Sequence, residues 1–220
     1  MPNSTQNILV SITAMLVSAS IAVVAANSIN KKTENPYNKQ IRWIYLPLFF
    51  AVVGFSLSYR IYGNINTIFA YIELMFGYFA LIVAVIWDYK IKLIPNYISL
   101  SLIITRILIF FVEWVLSGMD VAVAYIITAL IGGMASLCVL IICNKLSKGG
   151  IGYGDIKIFA SLGFMCGFYA VASTLVFAML SCTVSIIALL VAKKKKVKDE
   201  IVFAPFIYIG YSLCLLFMLY

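Results

Sequence analysis

Eight long apolar runs, separated by short polar breaks, fill almost the whole chain. They cover roughly 8–26, 43–59, 67–87, 97–117, 121–143, 156–166, 168–192 and 201–219. About 20 apolar residues in a helix cross the hydrocarbon core of a bilayer. The runs are continuously apolar rather than alternating, so a strand barrel is excluded. They predict an all-α fold, a polytopic transmembrane bundle of about eight helices. Composition agrees: of 220 residues, 64% are hydrophobic and 11% charged, against about half and about a quarter in a soluble domain. Disorder, a nucleic-acid-binding domain and a water-soluble globule are excluded, and the lipid bilayer is the first expected partner.

The basic residues give the topology. The breaks at 27–42, 88–96, 144–157 and 193–200 hold 14 of the 16 lysines and arginines, and the opposite breaks hold only Arg60. Loops rich in Lys and Arg stay in the cytoplasm. All four basic loops are therefore expected there, in the cytoplasmic membrane, with both termini outside. The rule also decides how 156–192 is built. One long crossing would carry five lysines outside, whereas a hairpin breaking near Gly163–Gly167 keeps them inside. The first run lacks a basic leader and an obvious cleavage site, so it reads as a retained span.

Other chemistries fall away. There is no histidine, which excludes His-based acid–base catalysis, Ser-His-Asp triads, and His-ligated zinc or haem. Cys138, Cys143, Cys166, Cys182 and Cys214 form no CxxC pair and read as small buried hydrophobes. No metal and no cofactor is expected. No internal repeat is evident.

With so few charges, each one within a span needs a reason. Asp88 closes the third run, in Trp87-Asp88-Tyr89-Lys90, and Asp155 opens the sixth, in Gly152-Tyr153-Gly154-Asp155-Ile156-Lys157. The lysine count puts both at one depth, the cytoplasmic edge. Two carboxylates on separate helices at one depth suit an aspartic protease. One is the general base on a water, and the other, protonated, polarises the scissile carbonyl. Taken singly, each Asp also fits a bland role, Asp155 as an acid at a helix N-terminus. Gly149, Gly150, Gly152 and Gly154 beside Asp155 would let an extended substrate strand come close. Pro95 fits the start of the next helix.

These residues resemble the type IV prepilin peptidase family of membrane aspartic proteases, which includes the archaeal preflagellin peptidases. Asp88 followed by Ile94-Pro95 matches one family motif, and Gly152-Tyr153-Gly154-Asp155-Ile156-Lys157 matches a second. Phe203-Ala204-Pro205-Phe206, with Gly210, is similar to a third. The resemblance covers about 67–220. It implies a six-helix peptidase core, preceded by an added hairpin over 1–66. It implies that Asp88 and Asp155 are the catalytic dyad, with Ile94, Pro95, Pro205 and Phe206 in support. It further implies the activity, removal of the short basic leader from a prepilin or pseudopilin precursor. Many bacterial members carry an insertion with paired CxxC motifs, linked to N-methylation. The matching loop here, 27–42, is short and has no cysteine, so the chain looks like a peptidase-only member. Presenilin-like proteases share part of the pattern, but the spacing to Ile94-Pro95 and Lys157 favours the pilin class. An ion-coupled transporter would place its acids near the midplane and show a repeat.

The remaining charges are ambiguous. Lys157 would support Asp155, order its loop or merely fix topology. Arg106 is expected to pair with Glu73 on the neighbouring helix, with Glu113 on the same face seven residues further on. Trp43, Trp87 and Trp114 fall near run boundaries, as an aromatic belt predicts. The leader would be basic, and the acids on its side are Asp88, Asp155, Glu34, Asp199 and Glu200.

Overall fold

The computed structural model describes residues 4–33, 37–65, 67–146, 150–192 and 202–220. Its seven helices follow the apolar runs: α1 Ser4–Asn30, α2 Leu46–Asn64, α3 Ile68–Ile91, α4 Asn96–Ser117, α5 Met119–Leu146, α6 Tyr153–Val191 and α7 Ala204–Phe217. A π-helical stretch, Ile41–Tyr45, leads into α2. Three of the boundaries carry identifiable turn geometry. Lys92 ends α3 in the left-handed region (φ 54°), its amide donating to the Asp88 carbonyl. Pro95 caps α4, as Pro near a helix start should. Gly118, at φ 87°, separates α4 from α5.

Six of these helices are long and apolar enough to cross a membrane. Their outer faces are apolar, with Val115, Leu146 and Val191 about four-fifths exposed. The core is filled by Tyr78, Tyr211, Phe159, Leu81 and Ile82. An apolar surface on all sides around an apolar core marks a protein whose solvent is lipid. The chain is an integral membrane protein.

The sixth helix settles the hairpin question. Gly167 has φ 82° and ψ −179°, far from helical values, a conformation that glycine adopts without a Cβ clash. Before it, the chain descends alongside α7: Phe159 meets Phe203, and Cys166 meets Tyr211. After it, the order reverses. Ala170 contacts Cys214, the Thr174 carbonyl lies under Gly210, and Cys182 and Ile186 line the same cavity as Asp155. The chain turns back at Gly167, as the lysine count required, and α6 consists of two antiparallel arms.

The first arm is pinned to α5 by backbone contact. A Cβ on Gly132 would stand 2.5 Å from the Gly163 carbonyl oxygen, and one on Gly163 2.5 Å from that of Gly132. Gly132→Val is therefore expected to destabilise the protein by about 1–3 kcal/mol through overpacking. Thermal unfolding in detergent measures it, and an unchanged midpoint would rule out so tight a crossing.

The first two helices, α1 and α2, pair with each other and pack on α3 and α7. Tyr78 donates to the Phe50 carbonyl, and its hydroxyl bonds that of Tyr208. Near the far end, Asn7 abuts Gly63, and Arg60 donates to the Leu216 carbonyl. The helix ends that flank the four basic loops all lie at the opposite end, with Asp88 and Asp155.

Two expectations need correction. Only Cys214 of the five cysteines is buried, and Cys138 is exposed, because lipid rather than protein supplies the apolar surroundings. Trp43 and Trp114 are exposed near helix ends, but Trp87 is buried under the Lys32 ammonium, 5.0 Å from its ring. The hairpin covers that ring, so no lipid interface reaches it.

Candidate active site

Asp88 lies one turn before the end of α3, and Asp155 is the third residue of α6. The helices bring both to one cavity of 680 Å³, whose lining includes Gly150, Ile151, Gly152 and Phe203. They are close enough for the charge of Asp88 to act on Asp155. Asp88 is only 8% exposed. Lys92 also lines it near the acids, and the deeper wall is apolar: Leu140 from α5, and Leu175, Met179, Cys182 and Ile186 along the second arm of α6. These four positions span three turns of helix, so the cavity is a slot that runs from the two acids into the membrane.

The carboxylates are held differently. That of Asp155 lies against Gly152 at the start of α6, where an added Cβ would stand 3.0 Å from it. Asp88 accepts from the Ala204 amide at 3.1 Å. Ala204 opens α7, with Pro205 in the first turn. The first amides of a helix have no intrahelical partner, and the positive end of its dipole favours an anion. The Pro205 ring removes one of those amides and leaves that of Ala204 to serve the acid. Sequence reasoning chose Pro205 and Phe206 and missed Ala204, although a helix start one residue before a proline is a readable signal.

The remaining motif residues have supporting places. A Cβ on Gly154 would stand 3.3 Å from that of Ile94, so Gly154 lets α6 rest against the loop after Asp88. Pro95 begins α4 just beyond. Phe206 stacks near Phe203 (6.4 Å), which in turn lies 6.3 Å from Phe159. Gly149 lies outside the described residues. Asn144, unremarked in the sequence, fastens the glycine loop by accepting from the Ile151 amide at 3.1 Å. Lys157 turns away from the acids and donates to Asn96 Oδ1 at 3.1 Å. The bond ties the start of α6 to the start of α4 and touches neither the acids nor the glycine loop. Among the described residues, no cluster of three or more His, Cys, Asp or Glu is placed to hold a metal ion.

Far from this end, Arg106 pairs with Glu73, as expected, and with Glu113 at 3.2 Å. The triad ties α3 to α4.

Asp88, buried, and Asp155, half-buried, line one slot inside a bundle of membrane helices. Residues 75–190, just over half of the chain and including both aspartates, match the type IV leader peptidase family, and the chain belongs to that family. A prepilin leader peptidase/N-methyltransferase of Bacillus subtilis (strain 168) is 30% identical over 142 residues, 62% of this chain and 52% of that protein. The chain thus spans about half the length of that relative. No solved structure matches it.

Proposed function

We propose that this peptidase is an aspartic endopeptidase that removes the short basic leader from type IV pilin-like precursors, with Asp88 and Asp155 as its dyad. One observation carries the reading: two acids from separate helices share one cavity, with Asp88 anchored by the amide that opens α7. Paired carboxylates resist double ionisation, so one holds a proton and the other does not. The ionised member takes a proton from water as its oxygen bonds the scissile carbonyl carbon. The protonated member donates to the carbonyl oxygen. The tetrahedral diol then collapses: the C–N bond breaks as one carboxyl proton passes to the leaving nitrogen and a hydroxyl proton of the diol returns to the other, ionised carboxylate. No covalent enzyme intermediate forms.

The substrate fits the slot by its two halves. An apolar segment lies along Leu140, Leu175, Met179 and Ile186, while the junction with the leader stays beside the acids. The basic loops support a cytoplasmic site, by the positive-inside rule. The cysteine-free 27–42 loop supports a peptidase that lacks the zinc-bearing insertion.

Vesicles holding the purified protein and a pilin-like precursor should yield a shortened product and a free leader, resolved by mass spectrometry. Intact precursor after prolonged incubation would overturn the activity. Orientation has its own test. Tyr153 is 76% exposed beside the site. In a chain whose native cysteines are replaced, Tyr153→Cys should react with an impermeant maleimide only from the cytoplasmic side. Reaction from outside would invert the assignment.

A further inference from the structure

We infer that Tyr37, in the connection between α1 and α2, is a positioning residue for Asp88. The inference rests on the reading of Asp88 as half of the dyad. Tyr37 lies outside the segment that matches the family, in a hairpin to which that reading gives no task.

The contacts converge on one turn of α3. The Tyr37 hydroxyl donates to the Ile86 carbonyl at 3.0 Å, in a buried bond. Its ring stacks on that of Tyr89, centroids 6.4 Å apart. The Lys90 ammonium lies 4.7 Å from the Tyr37 ring centre, and the Lys32 ammonium lies over Trp87. Residues 86, 87, 89 and 90 are thus all gripped by the connection, and the one between them is Asp88. The grip is itself built in. Asn30, at the end of α1, accepts from the Tyr37 amide at 2.8 Å and donates to its carbonyl at 3.3 Å. The phenol is 8% exposed, and burial pushes its pKa up, so it stays a neutral donor at any working pH.

That turn is where α3 ends, two residues before the left-handed Lys92. Helix ends fray unless held. A frayed end would move the Asp88 carboxylate relative to Asp155, and sub-ångström placement governs how well two groups share a reaction. The Ala204 amide fixes the carboxylate tip, and Tyr37 fixes the backbone that carries it.

The test is steady-state cleavage of a pilin-like precursor by the purified full chain in vesicles, with thermal unfolding alongside. Tyr37→Phe keeps the stack and the burial and loses only the hydroxyl. Its kcat should fall about threefold to tenfold, the scale of one hydrogen bond, with KM within twofold and an unfolding midpoint near that of the parent. Asn30→Ala, which frees the Tyr37 backbone, should shift kcat in the same direction. Tyr62→Phe, at the far end of α2, should leave kcat unchanged. A parental kcat in Tyr37→Phe, or a rise in KM alone, overturns the inference while leaving the dyad intact. A drop in midpoint with unchanged kcat per folded molecule also overturns it, since that is a purely structural role. An active Asp88→Asn would remove the dyad itself, and the inference with it.

Discussion

Asp88→Asn should lower the rate of leader removal about a thousandfold or more, and Asp155→Asn should do the same. An amide has nearly the shape of a carboxyl group but neither takes a proton from water nor gives one to a carbonyl. The oxygen introduced at position 88 still accepts from the Ala204 amide, so the fold should survive and the loss should lie in kcat. The two acids act as a unit, so the double variant should be no slower than either single one. Precursor conversion in vesicles, normalised to folded protein, is the measurement. Normal cleavage by either single variant would sink the dyad. Additive losses would mean that the acids act independently, which the shared cavity argues against.

The largest effect on stability is expected at Arg106. Its side chain is 3% exposed and lies between Glu73 and Glu113. Arg106→Leu would leave two buried carboxylates side by side with no cation, a loss of about 3–5 kcal/mol. Replacing all three residues with apolar ones of similar size should recover most of that loss, because the desolvation of every charge is then avoided. Unfolding midpoints of the two variants decide the matter. If the triple variant is as unstable as the single one, the triad does more than neutralise its own charges. Cleavage by the triple variant should stay near the parent, since the triad is about four turns of α3 away from Asp88.

Much of this was legible because charge is so scarce. The apolar runs place every helix within a few residues, and counting lysines demands a reversal inside 156–192 that Gly167 supplies. Glu73 and Arg106 could be paired from depth alone. What escaped was contact between elements distant in sequence. The amide of Ala204 reaches Asp88 across 116 positions, and Tyr37 reaches Ile86 across 49. Neither residue bears a charge, and although Ala204 stands in a recognisable motif nothing in the sequence names the partner of either, so only folding reveals it. Trp87 misled for a related reason. A tryptophan at a span boundary fits an interfacial belt, and only the packing of the hairpin shows it covered.

The shortness of one helical arm has a consequence for the bilayer itself. The arm from Tyr153 to Cys166 has 14 residues, about 21 Å, against a hydrocarbon core of about 30 Å. Its start is tied to the acids, so the shortfall lies at the other end. There Cys166 meets the Tyr211 hydroxyl, which donates to the Leu74 carbonyl, while α3 runs on to Ile68, about 9 Å further. Lipid facing this arm must thin or tilt to meet the protein, a hydrophobic mismatch confined to one flank.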